Sequence, residues 1–435
     1  MFTTVNRVNI AAFLYKASVS IFTLTSIFLV TSNFPPDLIG YYYIFLSAVG
    51  VQVLFEKGMS LTTIQVISRE FAGTPHSGSV TTWGLQTKGL IRKFLLWFGK
   101  AGALFGGVLF CFGTAYIAIS TDDHSGVNWK LPWVLLVCTQ SLLLASMPIL
   151  MVREAQGFLF EVWLVRLSAE IVGFTAFSLS VYLGVGLQAL SMALTAKLVC
   201  YLFFLVIRKE YAAALIDSLR ANVDIQEYWD NSVALFQKRI SISWLAGYAS
   251  HHSVTLVLFS FFSPTLAGAY GVSWQIMQGI ASVSLIPLST KVQAMAANSA
   301  LGLDRLNKVG YIRSMPIIFS AFILGQAAFF TMIWFSPAMH WSTNTKFLPL
   351  SYLIPLALIS SAGVVITSQA MLVRSRLIEP YTAMSIVDCC VHIFCATMGV
   401  VLADFRVLIF GILAWQYLGA LPWAFSIYQR NVKAS

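Results

Sequence analysis

Apolar runs of about 20 residues, each bounded by polar or turn-forming positions, recur from end to end of this 435-residue chain. A helix of that length crosses the ~30 Å hydrocarbon layer of a bilayer at 1.5 Å per residue. The runs predict twelve spans: Ala11–Thr31, Ile39–Ile67, Phe94–Ile119, Leu131–Val152, Phe158–Leu183, Gln188–Ile207, Ile240–Phe262, Gly268–Ala294, Tyr311–Phe335, Phe347–Val373, Leu377–Leu402 and Val407–Tyr428. In hydrocarbon a helix satisfies its own backbone groups, so the fold class is an all-α polytopic membrane protein.

The polar positions between the runs are not symmetric. With the N-terminus inside, 18 of the 27 Lys and Arg residues fall at inner segments or, for Arg313, at the inner end of a span, among them Arg7, Lys88, Arg92, Arg153, Arg220 and Arg374. Only Lys130, Lys346 and Arg406 fall outside, and the other 6 lie within spans. A bias of this size orients the chain with both termini in the cytoplasm. The first run is long, holds Lys16 and lacks a small-x-small cleavage site, so it reads as an uncleaved span.

Composition narrows the classes further. Hydrophobic residues make up 58% and charged residues 10%, with a mean hydropathy of +0.79. That is too little charge to cover a soluble surface of this size. The formal charge of +10 sits at membrane edges rather than in one patch, which argues against nucleic acid as a partner. The six cysteines (Cys111, Cys138, Cys200, Cys389, Cys390 and Cys395) all fall in spans without a CxxC pair. They predict neither a disulfide framework nor a metal site.

The chain also repeats itself. Phe34-x-Pro36-x-Leu38-x-Gly40-x-Tyr42 recurs 228 residues later as Phe262-x-Pro264-x-Leu266-x-Gly268-x-Tyr270, and Gln65 recurs at the same shift as Gln293. Leu150-Met151-Val152-Arg153 is echoed by Met371-Leu372-Val373-Arg374 at a shift of 221. Six spans per repeat is even, so the halves enter the membrane in the same sense, as parallel repeats about an axis along the membrane normal. The organisation is a six-helix bundle over 1–207, a cytoplasmic linker over 208–239 and a second bundle over 240–435. Tyr211–Ile216 and Val223–Trp229 in the linker have the spacing of short amphipathic helices on the inner surface, a natural hinge or tether between the bundles.

No enzyme chemistry is legible. There is no Walker sequence, HExxH or Ser-His-Asp arrangement, and no cofactor is expected. Asp122, Asp123 and His124 share one short outer segment that reads as a solvated turn. What stands out is charge inside the membrane, which is costly unless paired or hydrated. Glu56, Lys57, Arg166, Glu170, Lys197, His251, His252 and Asp388 are expected about 12 to 20 Å deep. Lys16, Lys100 and Lys291 lie nearer the inner ends, where their stems can snorkel. Arg166 with Glu170 and Asp388 with His392 stand at i,i+4, so each can be an intrahelical pair instead of a binding group. The first half holds five such cations (Lys16, Lys57, Lys100, Arg166, Lys197) against three carboxylates (Glu56, Glu161, Glu170). The second holds Lys291 against Glu379 and Asp388, with three histidines. A cationic half facing a titratable half suggests an anionic cargo with ion coupling.

Asn33-Phe34-Pro35-Pro36-Asp37-Leu38-Ile39-Gly40-Tyr41-Tyr42-Tyr43, closing in Gln65-Val66-Ile67-Ser68-Arg69-Glu70, resembles the opening of Wzx-type O-antigen and polysaccharide flippases. These share a superfamily with MATE-type multidrug exporters and lipid II flippases. The resemblance implies two six-helix bundles that open alternately to each side. It also implies transfer of an undecaprenyl-diphosphate-linked oligosaccharide across the bacterial inner membrane. Lys16, Lys57, Lys100, Arg166, Lys197 and Lys291 would then contact the diphosphate or acidic sugars. Glu56, Glu170, His251, His252, Asp388 and His392 would serve coupling or ion pairing. Its implied partners are the lipid-linked oligosaccharide, membrane lipid, and the polymerase and chain-length proteins of the same glycan. One departure is Glu56-Lys57-Gly58, which stands where the family leads to an acidic or small residue followed by Leu-Gly.

Three rivals stay open. A MATE-like exporter of cationic drugs should have a net acidic interior. A major-facilitator transporter should carry Gly-x-x-x-Asp-Arg where this chain has Ser68-Arg69-Glu70-Phe71-Ala72-Gly73. A membrane-embedded polymerase or ligase should have a large outer loop. The orientation is directly testable: reporter fusions after Lys130 and Lys346 are expected to report periplasm, and fusions after Arg220 and Lys433 cytoplasm. Reversal at any two of the four sites sinks the twelve-span topology.

Overall fold

The structure is a computed structural model that describes residues 2–72, 83–120, 128–262, 264–335 and 347–433. It divides into two compact units, Met1–Asn231 and Ser232–Ser435, a boundary that falls inside the expected linker. Every described element is helical.

In the first unit, α1 (Phe2–Asn33) is followed by α2 (Pro36–Gly50), α3 (Gln52–Glu56) and α4 (Met59–Glu70). Then come α5 (Leu85–Val108), α6 (Thr114–Ser120), α7 (Lys130–Ala155), α8 (Leu159–Tyr182) and α9 (Gln188–Ile207), with α10 (Lys209–Arg220) and α11 (Gln226–Tyr228) closing the unit. α8 packs along both α9 and α1, and α5 packs along α7. Aromatic rings fill the seams: Phe45 meets Trp133 at 5.2 Å, Phe55 meets Phe105 at 5.3 Å, and Phe22 stacks on Phe174 at 4.2 Å.

The second unit runs α12 (Leu235–Val257), α13 (Pro264–Ser284), α14 (Ile286–Ser289), α15 (Val292–Ala300), α16 (Asp304–Phe335), α17 (Leu350–Arg374), α18 (Thr382–Val401), α19 (Phe405–Trp415) and α20 (Leu421–Lys433). Its core gathers Val254, Met277, Phe329, Leu353, Leu356, Leu408 and Ile409. Large apolar side chains also point outward along the long helices, among them Phe112, Leu324, Phe394 and Leu418. Rings of exposed leucine and phenylalanine on continuous helices need an apolar solvent, which is the bilayer.

All twelve predicted spans are occupied by helix, but fewer meet the length and hydropathy of a straight crossing. Among the described residues nine helices do, or ten with one bent pair counted as a single span. The expected span Ile39–Ile67 is broken into α2, α3 and α4, with Lys57 (φ 49°) and Gly58 (φ 71°) in the left-handed region. An L-residue there costs ~1–2 kcal/mol, so only surrounding packing holds Lys57 in place. The expected span Ile240–Phe262 is continuous helix but is diluted by Ser241, Ser243, Ser250, His251, His252 and Ser253. The expected span Gly268–Ala294 bends by 50° at its break.

These breaks confirm the internal repeat physically. The shift of 228 that aligns the Phe34 and Phe262 motifs carries Lys57–Gly58 onto Leu285–Ile286, where α13 gives way to α14. Both units interrupt their second span at one register.

The linker is not a free tether. Its first predicted amphipathic segment is α10, which buries Tyr211, Leu215 and Ser218 against the first unit. The Tyr211 hydroxyl donates to the Ile149 carbonyl at 2.5 Å, and Lys88 pairs with Asp217 at 2.6 Å. The second segment is only the single turn α11. Tyr228 donates to the Glu70 carboxylate at 2.9 Å, and Lys93 lies 4.2 Å over the Trp229 ring. Burial, with that bond to Glu70, holds the Tyr228 phenol above its ordinary pKa. The segment is strapped to the first unit as far as Trp229, and the chain leaves it through a π-helical stretch, Trp229–Ala234.

Close helix approach depends on a few glycines. A Cβ on Gly102 would sit 2.6 Å from the Ser141 carbonyl on α7, whereas one on Gly99 would meet nothing within 4 Å. Gly102→Val is therefore expected to lower the melting midpoint in detergent, at a cost of about 1–3 kcal/mol. Gly99→Ala should leave the midpoint unchanged or raise it. Equal effects from the two would contradict this packing of α5 on α7.

Candidate functional site

The candidate site is a ladder of charges inside the first unit, built at the α7–α8 turn. α7 ends in a Schellman arrangement: Phe158 N–H donates to the Arg153 carbonyl at 3.3 Å and Gly157 N–H to the Glu154 carbonyl at 2.9 Å. Gly157 supplies the positive φ, 93°, that this ending requires. The turn fixes Arg153 and Glu154 side by side on the last turn of α7. Arg153 lies over the Phe158 ring at 3.5 Å and pairs with Glu161 in the first turn of α8 at 2.8 Å. Arg208 reaches the other oxygen of Glu161. Each charge of this lowest rung also complements a helix dipole, cation at a C-terminus and carboxylate at an N-terminus.

The next rung joins Arg166 to Glu154 at 2.7 Å. Arg166 sits two turns into α8, and a helical side chain leans toward the N-terminus, so its guanidinium reaches back to α7. It lies 4.8 Å over Trp163, which packs against Tyr15. Lys16 on α1 feels the charges of both Arg166 and Glu154. The third rung joins Lys197 on α9 to both oxygens of Glu170 on α8, at 2.9 and 2.8 Å. Gly173 makes room for it: a Cβ there would stand 2.8 Å from Lys197 Cε.

These contacts replace the expected i,i+4 pair. Arg166 and Glu170 do not pair with one another. Arg166 turns down to Glu154 and Glu170 turns across to Lys197, because neighbouring helices offer partners at better angles than the same helix face. The Arg166 charge therefore lies nearer the N-terminal end of α8 than expected from the residue's position. Glu154 was hidden in the sequence because Arg153-Glu154 reads as an ordinary edge pair just past a span. The legible signal was Gly157, which ends α7 and brings that pair beneath α8.

Of the other expected contacts, Lys57 is exposed at the α3–α4 break beside half-buried Glu56, and Lys100 is exposed on α5. Neither joins the ladder. Lys291 belongs to the second unit, where its Nζ donates to Ser314 Oγ at 2.8 Å. The side chains of His251 and His252 lie outside the described residues, as do Asp122, Asp123 and His124.

The second unit buries carboxylates instead. Glu379 is fully enclosed, receiving Arg374 Nη2 at 3.0 Å and Ser243 Oγ at 2.9 Å. Arg374 is the repeat partner of Arg153, so each unit ties the arginine ending its fourth span to a nearby glutamate. Asp388 accepts from Trp415 Nε1 at 2.8 Å and Gln416 Nε2 at 2.9 Å. His392 Nδ1 lies 2.8 Å from the Asp388 backbone carbonyl and 3.5 Å from the second Asp388 carboxylate oxygen, so the two residues expected at i,i+4 are in contact, chiefly through the backbone. A π-helical turn, Gln416–Ala420, follows Trp415; such turns often re-aim side chains at functional positions. All six cysteines are free.

Charge separates the two interiors. The first-unit ladder holds four cations (Arg153, Arg166, Lys197, Arg208) against three carboxylates (Glu154, Glu161, Glu170). In the second unit Arg374 meets Glu379, Arg376 meets Asp304 at 3.3 Å, and neutral donors meet Asp388.

The chain has the fold of the MATE transporters of the MOP superfamily. It aligns with an outward-facing multidrug resistance MATE family transporter of that superfamily at TM-score 0.77 and 14% identity, over 99% of this chain and 95% of the other. A mutant of the Vibrio cholerae MATE transporter VcmN aligns at TM-score 0.70 and 13% identity, over 100% and 97%. A MOP superfamily transporter from Pyrococcus furiosus, described as having a binding pocket of reverse polarity that suggests a different function, aligns at TM-score 0.67 and 13% identity, over 99% and 95%. No protein-family profile and no curated protein sequence matches the chain.

The pairing makes a direct prediction. Arg166→Gln strands Glu154 in a buried position and should destabilise the protein by about 3 kcal/mol. Adding Glu154→Gln should restore most of the loss in a thermal melt, while adding Glu170→Gln should not. Rescue by Glu170→Gln alone would reject the pairing described.

Proposed function

We propose that this protein is a transporter that moves an anionic, lipid-linked oligosaccharide across the bacterial inner membrane by alternating access. The observation that carries the reading is the cationic excess of the first-unit ladder within a transporter fold. A diphosphate and acidic sugars cannot cross hydrocarbon bare; charged hydrogen-bond donors must replace their hydration. Arg166 and Lys197 keep part of their side chains exposed, 18% and 26%, so both are reachable. The polyprenyl tail needs no protein site, because it is soluble in the bilayer. The partners that follow are the lipid-linked glycan itself and the polymerase and chain-length proteins that act on it after transfer. The resemblance of the first 70 residues to Wzx-type flippases supports the same assignment.

Export of cationic drugs is the second reading, favoured by the multidrug neighbours and by the buried carboxylates of the second unit. The ladder weighs against it, since a cation would meet net repulsion there. The Pyrococcus furiosus neighbour, whose binding pocket is described as of reverse polarity, supports the idea that this fold accommodates more than one pocket polarity.

The two readings part in one experiment. Deleting the gene is expected to leave lipid-linked oligosaccharide in the inner leaflet and strip mature polysaccharide from the cell surface. Persistent surface polysaccharide with changed drug sensitivity would transfer the assignment to the exporter.

A further inference from the structure

The helix α16 is longer than a bilayer crossing needs. Its 32 residues extend about 48 Å, against ~30 Å of hydrocarbon. The stretch Ser314–Phe335 carries no charge and covers about 33 Å by itself. The turns before it therefore belong to the headgroup layer, and they present Arg305, Lys308 and Arg313, all exposed.

One face of these turns is tied to its own unit. Asn307 Nδ2 donates to the Met295 carbonyl at 2.8 Å, Asn298 Nδ2 donates to Asn307 Oδ1 at 3.0 Å, and Asp304 pairs with Arg376 at 3.3 Å. Asn307, Tyr311 and Ser314 are buried on that side. The opposite side presents Arg305, Leu306, Lys308, Val309, Ile312 and Arg313 within an arc of about 160° around the helix. Leu306 is 58% exposed and Ile312 55%, and the stripe continues deeper as Ile323 at 63%. Cations and membrane-facing apolar side chains share one open surface.

No carboxylate answers the three cations. The second unit holds four, Asp304, Glu379, Asp388 and Asp404. Asp304 takes Arg376 and Ser299, Glu379 takes Arg374, Asp388 takes Trp415 and Gln416, and Asp404 caps α19. Among the described residues Arg305, Lys308 and Arg313 form no ion pair. In the first unit, by contrast, Lys88 is taken up by Asp217 and Arg208 by Glu161.

We propose that this face of α16 is a docking surface for anionic phospholipid. The two guanidinium forks and the Lys308 ammonium take headgroup phosphate oxygens, while Leu306, Val309 and Ile312 lie against the upper acyl chains. Plain snorkelling would bring the same cations to any headgroup; three unanswered charges on a rigid helix select the negative one. The N-terminal end of α16 is thereby held to the membrane surface, and the stability of the second unit depends on lipid charge. The surface stands on α16 alone and is independent of the cargo.

The test is a thermal melt of the purified full chain in neutral detergent with added dioleoyl phosphatidylglycerol or dioleoyl phosphatidylcholine. The wild type is expected to be stabilised at a lower concentration of phosphatidylglycerol than of phosphatidylcholine. Arg305→Gln, Lys308→Gln and Arg313→Gln should each raise the half-effective phosphatidylglycerol concentration about fivefold, the worth of one cation at an anionic surface. Their phosphatidylcholine response should stay as it was. All three side chains are exposed, so the variants are expected to fold; Arg305→Lys keeps the charge and should keep most of the preference. Lys130→Gln, which removes an exposed charge from α7, should change nothing. Equal responses of the wild type to the two lipids would overturn the proposal. So would a phosphatidylglycerol preference that survives in the folded triple variant, or the same loss in Lys130→Gln.

Discussion

Everything in this chain answers to the cost of charge in hydrocarbon. An ionised side chain in the bilayer is tolerated when it is paired, hydrated or able to snorkel. The lysines and arginines between the apolar spans obey by standing outside the core. The interior charges obey by pairing across helices, and those pairs decide which helices lie together. α8 is held to α7 by Arg153–Glu161 and Arg166–Glu154, and to α9 by Glu170–Lys197. The second unit repeats the device with Arg374 and Glu379 and with Arg376 and Asp304.

A pair that holds helices together is a structural device; an excess of one sign is something more. Glu161 takes both Arg153 and Arg208, Glu154 takes Arg166 and Glu170 takes Lys197, so the paired groups of the first unit's ladder keep one net positive charge. Had the ladder been neutral, the MATE fold would have left the cargo's sign open. The second unit holds its carboxylates with tryptophan, glutamine, serine and two arginines.

The helices, their order and the repeat were legible in the sequence because hydropathy and charge asymmetry act locally along the chain. The pairing was not, because partners depend on which faces of neighbouring helices meet. Arg166 and Glu170 stood at pairing distance on one helix, yet both found partners elsewhere. Glu154 passed as a surface charge until the turn at Gly157 placed it beneath α8. The broken second span was equally hidden: Glu56-Lys57-Gly58 announced an oddity, but the left-handed break became visible only in the backbone. The linker's amphipathic spacing was legible, while its fastening to the first unit through Tyr211, Asp217 and Tyr228 was a matter of tertiary contact.

The central claim, that the first unit's cationic excess exists to hold an anionic lipid-linked glycan, is tested most directly by what the protein carries out of its own membrane. Native mass spectrometry of the protein released gently from host membranes is predicted to show bound polyprenyl-diphosphate-linked oligosaccharide, lost when Arg166 and Lys197 are both neutralised. Bound organic cations in its place, or retention of the glycan lipid by the doubly neutralised protein, would contradict the account.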